Sequence, residues 1–216
     1  MTPVIVRRGT DHDRAAALEV WRAALGGTGR RPSTTRVQEV REQLERDLLV
    51  VCDDGVQVGL VGIATGRAAD GDDPALLYVT GVHVLPARWR TGVGAAMLEG
   101  LADEAWDLGC RRIACQTIDP SMVGLLKAVG LQPGEHGWTG ELEAPVRDVA
   151  VFSDGIRLGQ FLKLAGLVDT GAEAKALLAD GGVQVNGEPD QRRGRQLIEG
   201  DVVTARDCAV RVHLPR

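Results

Sequence analysis

The chain has 216 residues, 44% of them hydrophobic, so it is long enough and apolar enough to bury the cores of one domain or two. No apolar run approaches the roughly 18 residues of a membrane-spanning helix, and the amino-terminal residues lack the apolar stretch of a secretory signal, which predicts a cytoplasmic protein without a membrane partner. The net charge of -5 comes from residues 1–151, because residues 152–216 carry 9 Lys and Arg against 9 Asp and Glu, so any case for nucleic-acid binding depends on local clusters of charge.

The first 130 residues predict alternating strands and helices. A short strand at 4–6 precedes a helix that begins near Asp13 and ends at Gly26, and a second, polar helix follows at 35–46. The later elements are strands at 48–52, 56–65 and 76–85, a helix at 93–108, a strand at 113–115 and a helix at 122–129, with a hairpin turn at 53–55. This order predicts an α/β fold, a mixed sheet with helices on its faces.

Beyond residue 134 the periodicity lapses and Pro and Gly interrupt the chain. We therefore predict two domains, 1–146 and 154–216, joined by a linker at 147–153. Helical spacing returns at 158–165 and 174–178, and a strand at 183–185 runs into Asn-Gly, the strongest short hairpin signal. The second domain is thus expected to be small and α+β, with two helices followed by a β-ribbon.

The turn at 86–95 joins the longest predicted strand to the amphipathic helix predicted at 93–108. Its glycines, Gly92 and Gly94, let the backbone approach a ligand closely, and the free amides of the helix start suit a pyrophosphate. Arg88 and Arg90 add positive charge beside those amides. Glycines at this place also allow close packing of helix on strand, and on the turn alone the two readings are equally good.

This succession of strand, basic turn, Gly92-Val93-Gly94 and helix resembles the central motif of the GNAT N-acetyltransferases over roughly residues 1–140. The resemblance implies acetyl-CoA as cosubstrate, with its pyrophosphate on the helix start and its pantetheine arm along the preceding strand. Trp89 stands where the motif has Gln or Arg. The residues that the resemblance places at the cofactor are Val82, His83, Val84, Arg90, Thr91, Gly92, Val93, Gly94 and Ala95.

Catalysis would need a group or a water that takes a proton from the acceptor ammonium. Tyr78 and His83, on the central strand, are the nearest candidates; the alternatives are a tyrosine packed at the sheet edge and a histidine satisfied by backbone or solvent. Where many members of the family have a Tyr that protonates the departing thiolate, this chain has Leu126, and where many have Asn it has Asp119. The four cysteines lack CxxC spacing, so we expect no metal.

Four landmarks in the tail resemble the S4 RNA-binding fold of the short bacterial type over about residues 154–205: the segments 157–163, 171–175, 183–187 and 200–203. The resemblance implies an RNA or ribonucleoprotein partner, recognised by shape and backbone because no aromatic platform is available. The alternative is that the basic residues are solvated charges balanced by neighbouring acids. The residues that we expect to contact phosphates are Arg157, Lys163, Lys175, Arg192, Arg193 and Arg195.

Together the two resemblances predict an N-acetyltransferase that transfers acetyl from acetyl-CoA to an amine of an unidentified substrate, with a tail that directs it to RNA or a ribonucleoprotein. Two alternatives stay open. One is an RNA-binding adaptor whose acyltransferase fold binds CoA weakly or not at all, which Trp89 and Leu126 favour. The other is a small-molecule acetyltransferase whose tail only mediates assembly.

Overall fold

The computed structural model describes residues 4–53, 59–69, 73–135, 137–152 and 155–215. It consists of two compact units, Met1–Glu143 and Ala144–Arg216. Among the described residues, none of the helices has the length and apolar character needed to span a membrane.

A seven-stranded sheet forms the centre of the first unit, in the order β1-β2-β3-β4-β5-β7-β6. The neighbours β4 and β5 run parallel, and the other neighbouring strands run antiparallel. The strands are β1 (Ile5–Arg8), β2 (Leu48–Asp53), β3 (Gly62–Ala68), β4 (Leu76–Val84), β5 (Arg112–Cys115), β6 (Gln132–Gly134) and β7 (Gly137–Glu141). The helices are α1 (Arg14–Gly27), α2 (Thr34–Arg46), α3 (Val93–Asp107) and α4 (Pro120–Ala128).

Both faces of this sheet are covered, and strand β2 shows why. Its side chains alternate, as the period of two requires: Val50 packs in the core under α3, and Val51 packs in the core under α1 and α2. Met97 of α3 and Trp21 of α1 contribute large buried side chains to the two cores. The continuous apolar run at 48–52 therefore reflects burial on both faces.

The central strand β4 is irregular at one place. In its pairing with β3, Thr65 lies opposite Gly81 and Gly66 lies opposite Val79, so Thr80 is the extra residue of a β-bulge. On the other side, β4 pairs with β5 only from Leu76 to Tyr78. The bulge thus coincides with the point at which β4 separates from β5, and beyond it no described strand pairs with that edge of β4.

Strands β6 and β7 lie where the sequence predicted that regular structure ends, with β7 inside the interrupted stretch beyond residue 134. Gly137 has φ of 119°, and a Cβ there would lie 2.7 Å from the carbonyl oxygen of Cys115. A glycine is needed at this position because β7 and the end of β5 approach so closely. The hairpin turn predicted at 53–55 and the start of the strand predicted at 56–65 lie partly outside the described residues, and β3 begins at Gly62.

The second unit has a five-stranded sheet in the order β11-β10-β13-β14-β8, a two-stranded sheet of β12 and β9, and two helices. Phe161 and Leu178, from the two helices, are buried against the strands. Asn186 and Gly187 have φ of 54° and 83°, as the predicted two-residue hairpin requires. The elements are β8 (Val146–Ala150), β9 (Ile156–Arg157), α5 (Leu158–Leu164), α6 (Gly171–Ala179), β10 (Val183–Val185), β11 (Glu188–Pro189), β12 (Gln196–Leu197), β13 (Val202–Ala205) and β14 (Cys208–His213).

Strand β8 lies where the sequence predicted a linker at 147–153. It runs parallel to β14, with Val146 opposite Ala209 and Ala150 opposite His213. The partner strand is 63 residues further along the chain, so no local signal reveals the pairing. The second unit therefore begins at Ala144, earlier than predicted, and residues 153 and 154 lie outside the described part of the chain.

Candidate functional site

The start of α3 offers three backbone N–H groups. The first backbone bond of the helix runs from the Ala96 N–H to the carbonyl oxygen of Gly92, at 3.1 Å, so the N–H groups of Val93, Gly94 and Ala95 precede the first helical hydrogen bond. Their partial positive charge adds to that of the helix dipole. The arrangement suits an anionic group.

The two glycines of this turn have different tasks. Gly92 has φ of 88°, and a Cβ there would have no atom within 4 Å, so the residue faces open space in a left-handed conformation. A Cβ on Gly94 would lie 3.3 Å from Leu125 of α4, so this glycine permits close helix packing. The packing reading therefore holds at Gly94, whereas the backbone at Gly92 is open and leaves room for a ligand.

One of the two arginines of the turn is exposed and has a strained conformation. Arg90 has φ of 59°, which costs a residue other than glycine about 1 kcal/mol. The Thr91 hydroxyl donates to the carbonyl oxygen of Arg88, at 2.7 Å, and so closes the turn ahead of the helix. Arg90 makes no ion pair with any other described residue, so its charge remains available to a ligand.

Trp89 fixes the turn to the strand and to α1. Its indole Nε1 donates to the carbonyl oxygen of Val84, at 2.7 Å. Its ring edge lies against Gly27, where a Cβ would come within 2.8 Å of the Trp89 Cη2. The side chain that replaces the Gln or Arg of the motif is thus a structural clamp, still 43% exposed.

The free edge of β4 lies on the side from which β5 has separated. The Leu85 N–H donates to the carbonyl oxygen of Val61, at 2.9 Å, and His83 pairs with Ile63 of β3. Because alternate residues of a strand face the same neighbour, the backbone groups of Val82 and Val84 face the opposite side. Of the three strand residues predicted at the cofactor, His83 therefore directs its backbone to β3.

The side chain of His83 lies on the α2 face of the sheet. Burial lowers its pKa to about 4, helped by the positive charge of Arg36 on α2. A Cβ on Gly81 would lie 2.8 Å from the His83 Nε2, so the missing side chain of that glycine makes room for the ring. His83 is therefore a neutral imidazole at neutral pH.

Tyr78 lines a different place from His83. It is 41% exposed and faces an open pocket of about 520 Å³, whose wall also includes Arg67, Asp73 and Thr80. His83 is not among the residues that line this pocket. The two candidate catalytic residues thus share a strand and a face, and the bulge at Thr80 lies between them.

Sequence reading missed a buried carboxylate beside this pocket. The side chain of Asp47, directly after α2, is fully buried and accepts hydrogen bonds from Arg67 and Thr80. No sequence pattern marks an aspartate that follows a helix as buried. The signal that could have found it is the requirement for a partner to Arg67 inside an otherwise apolar strand.

The two residues that depart from the family pattern have structural roles. Leu126 is 0% exposed and belongs to the core under α3. Asp119 caps α4, since its carboxylate accepts from the N–H groups of Ser121, at 2.9 Å, and Met122, at 3.2 Å. Leucine cannot donate a proton to a leaving group, and the Asp119 carboxylate is engaged in the cap of α4.

In the second unit, two of the arginines that were predicted to contact phosphates form ion pairs with a buried aspartate. Asp190 is 4% exposed and accepts from Arg192 and Arg195, the latter at 2.7 Å. These bonds, that to Arg192 above all, hold the pKa of Asp190 well below its usual range. Arg192 and Arg195 therefore already share a negative charge within the protein.

Arg193 has a different environment, at the starts of both helices of the second unit. Its carbonyl oxygen accepts from the Gly159 N–H of α5, at 3.0 Å. Cβ atoms on Gly159 and Gly171 would lie 2.5 Å from its Cγ and 3.3 Å from its Nη2. The guanidinium thus lies by the positive end of α6 and makes no ion pair with any described residue.

The remaining predicted phosphate contacts are exposed. Arg157 is the residue before α5, and Lys163 and Lys175 lie on α5 and α6. Among the described residues, the histidines, cysteines and acids form no cluster that could hold a metal ion.

Comparison with known families identifies both units. The model of the acetyltransferase (GNAT) family matches residues 16–130, and that of the S4 domain matches residues 149–213. Over 55 residues of the S4 region the chain is 51% identical to a "Probable ribosome maturation protein RlbA" of Bacillus subtilis. The matched segment covers 26% of this chain and 78% of that protein. These matches confirm both resemblances and their order along the chain.

Solved structures share the fold of the first unit. A structure described as a putative GNAT-family acetyltransferase of Desulfovibrio desulfuricans superposes with a TM-score of 0.53 at 13% identity, over 65% of this chain and 99% of that one. A GNAT-family acetyltransferase of Brucella melitensis, solved in complex with acetyl-CoA, gives a TM-score of 0.52 at 17% identity, over 68% of this chain and 92% of that one. They confirm the predicted mixed α/β fold.

Proposed function

Because the chain belongs to the acetyltransferase (GNAT) family and carries an S4 domain, we propose that it transfers acetyl from acetyl-CoA to an amine of a ribosomal or other ribonucleoprotein substrate to which its second unit docks. The observation that carries the proposal is the alignment of two features of the first unit. The free amides at the start of α3 follow the end of β4 after one turn, and among the described residues the second half of β4 has one edge without a strand partner.

The cofactor would contact both features at once. Its pyrophosphate would accept hydrogen bonds from the N–H groups of Val93, Gly94 and Ala95, with Arg90 adding charge. Its pantetheine arm would lie along the edge of β4, where Val82 presents its backbone groups and Val84 its N–H, the Val84 carbonyl oxygen being bonded to Trp89. The acetyl group would then reach the bulge at Thr80.

The acceptor amine must be neutral to attack, and the chain supplies polar groups on the α2 face of β4. Since its pKa is about 4, His83 can accept a hydrogen bond from the amine, but it is a weak base for an ammonium group. Tyr78 is exposed to the neighbouring pocket and can hold a water that carries the proton away. Leu126 offers no acid, so we expect the CoA thiolate to take its proton from solvent.

Two observations support RNA as the docking partner. Arg193 lies beside the start of α6 and pairs with no acid in the described part of the chain, an arrangement that an added phosphate would stabilise. The S4 region is half identical to a protein described as a probable ribosome maturation protein, which favours ribosomal RNA over other RNAs.

Calorimetry with acetyl-CoA on the full chain tests the first step. A second experiment incubates purified ribosomal subunits with the chain and isotopically labelled acetyl-CoA, with and without prior nuclease treatment. The proposal predicts micromolar or tighter cofactor binding and label on a protein or RNA amine that nuclease treatment reduces. Absence of cofactor binding would refute it.

A second candidate function is an RNA-binding adaptor without catalysis, and the burial of Leu126 in the place of a catalytic acid favours it. This candidate predicts that the chain binds ribosomal subunits and transfers no label. The labelling experiment therefore separates the two functions.

A further inference from the structure

A series of side-chain hydrogen bonds joins α2, β3 and the bulge of β4 to the aspartate that follows α2. Asp47 Oδ2 lies 2.7 Å from Thr80 Oγ1, which lies 2.9 Å from Thr65 Oγ1. Gln43 Nε2 lies 3.2 Å from the same Thr65 oxygen. Arg67 Nε donates to the other oxygen of Asp47, at 2.8 Å.

The direction of this series follows from the chemistry of its ends. An ionised carboxylate only accepts, so the single hydroxyl hydrogen of Thr80 points to Asp47. Thr80 must then accept from the Thr65 hydroxyl, and Thr65 accepts from the amide of Gln43. Every member has one defined orientation, and the series ends on a buried negative charge.

Stability alone gives little reason for such an arrangement. Burying a carboxylate carries a desolvation cost that an ion pair often only offsets, and the Asp47 side chain is fully buried while that of its partner Arg67 is 38% exposed. The network is placed at the one irregular position of β4, the extra residue Thr80. Bulges of this kind redirect a strand, commonly beside an active site.

The position of the bulge relative to the helix start matters for the cofactor. Val84 ends β4 beside the turn, and Thr80 lies four residues earlier, which is about 13 Å at the usual rise of a strand. A ligand whose phosphates lie at the start of α3 and whose arm follows the strand edge brings its far end to the bulge.

We propose that Asp47 is a positioning residue, which fixes the bulge of β4 through Thr80 so that the acetyl end of the cofactor is held in one place. This inference rests on the proposed function. Asp47 and Thr80 act through the backbone of the bulge, and the rest of the cofactor depends on the turn at Gly92, far from the network. The Thr80 hydroxyl should therefore affect the binding of the acetyl group and leave the binding of the rest of the cofactor unchanged.

The test compares the dissociation constants of acetyl-CoA and of CoA, measured by calorimetry on the full chain. Thr80→Val keeps the shape of the side chain and removes the hydroxyl. We expect it to weaken acetyl-CoA binding by about fivefold, the effect of one misplaced hydrogen bond, and to leave CoA binding within about twofold. Thr80→Ser retains the hydroxyl and should restore the wild-type ratio of the two constants.

Asp47→Asn provides a second measurement if Thr80→Val does not fold, and it should shift the ratio in the same direction. Asp13→Asn is the matched control, because Asp13 also pairs with an arginine, Arg7, on the distant edge strand. That control should leave the ratio unchanged.

An unchanged ratio in folded Thr80→Val or Asp47→Asn, with CoA still bound, overturns the inference and leaves the proposed function intact. Failure of the wild-type chain to bind either ligand overturns the proposed function, and the inference falls with it. A merely structural role of the network would weaken both ligands equally, which also counts against the inference.

Discussion

The Trp89 indole and the Val84 carbonyl oxygen, joined by a hydrogen bond of 2.7 Å, tie the end of β4 to the turn before α3. Trp89→Phe removes the donor and keeps a ring against Gly27. We expect acetyl-CoA affinity to fall by about fivefold, because one hydrogen bond of the turn is lost. Trp138→Phe, on β7, is the control for loss of an indole elsewhere. Equal affinity of the two variants, measured by calorimetry, would show that the clamp does not shape the cofactor site.

Gly92→Val should weaken acetyl-CoA binding by at least about tenfold, because a β-branched side chain disfavours φ of 88° and would cover the free amides of α3. Gly124→Val is the matched control, since a Cβ on this helical glycine also meets no atom within 4 Å. Circular dichroism establishes that both variants fold. Wild-type affinity in folded Gly92→Val would contradict the assignment of the turn.

His83 makes the stability of the first unit depend on pH. Its folded pKa of about 4 is below the ordinary 6.5, so the unfolded chain binds more protons between these values and stability falls as the pH falls through that window. The loss due to this group is at most about 3 kcal/mol. His83→Gln should reduce the drop in melting temperature across the window, measured by calorimetric melts. A drop as large as in the wild type would exclude His83 as its source.

Arg193→Ala should reduce the slope of log K against log salt for RNA binding by about 0.9, the loss of one phosphate contact. Arg192→Ala removes the same charge from a side chain that Asp190 already holds, so we expect a smaller change of slope and a lower melting temperature. Filter binding to ribosomal RNA across a salt series, with a melt, distinguishes the two effects. Identical slopes for the wild type and Arg193→Ala would show that this arginine contacts no RNA phosphate.

The boundary of the second unit predicts how fragments behave. A fragment of residues 144–216 retains β8 and should fold, whereas a fragment of residues 151–216 leaves one edge of β14 unpaired and should melt at a lower temperature or aggregate. Melts of both fragments test this. Equal stability would mean that β8 contributes little to the unit.

Most helices and central strands could be predicted from the sequence because their signals are local. The helix predicted at 93–108 spans Val93–Asp107, and the strand predicted at 76–85 spans Leu76–Val84. Strands β6, β7 and β8 could not be predicted, since their glycines and prolines resemble breakers and β8 has a distant partner. The turn at Gly92 could be predicted for the same reason, because its glycines and the start of the following helix are adjacent in the sequence.

The rest of the candidate site depends on tertiary contacts. Nothing near Asp47 in the sequence shows that Thr80, 33 residues away, donates to it, or that a bulge separates Tyr78 from His83. The basic run at 192–195 looks uniform in sequence, and the burial of Asp190 divides it into two neutralised arginines and one that lies by a helix start.

The parallel pairing of β8 with β14 also bears on the order in which the chain folds during synthesis. The first unit is complete once residue 143 has left the ribosome, and it can acquire its core while translation continues. Strand β8 emerges next, yet its partner emerges 63 residues later, so it must wait unpaired until the second unit is nearly finished. A nascent chain therefore has a completed acyltransferase unit well before it has a finished S4 sheet.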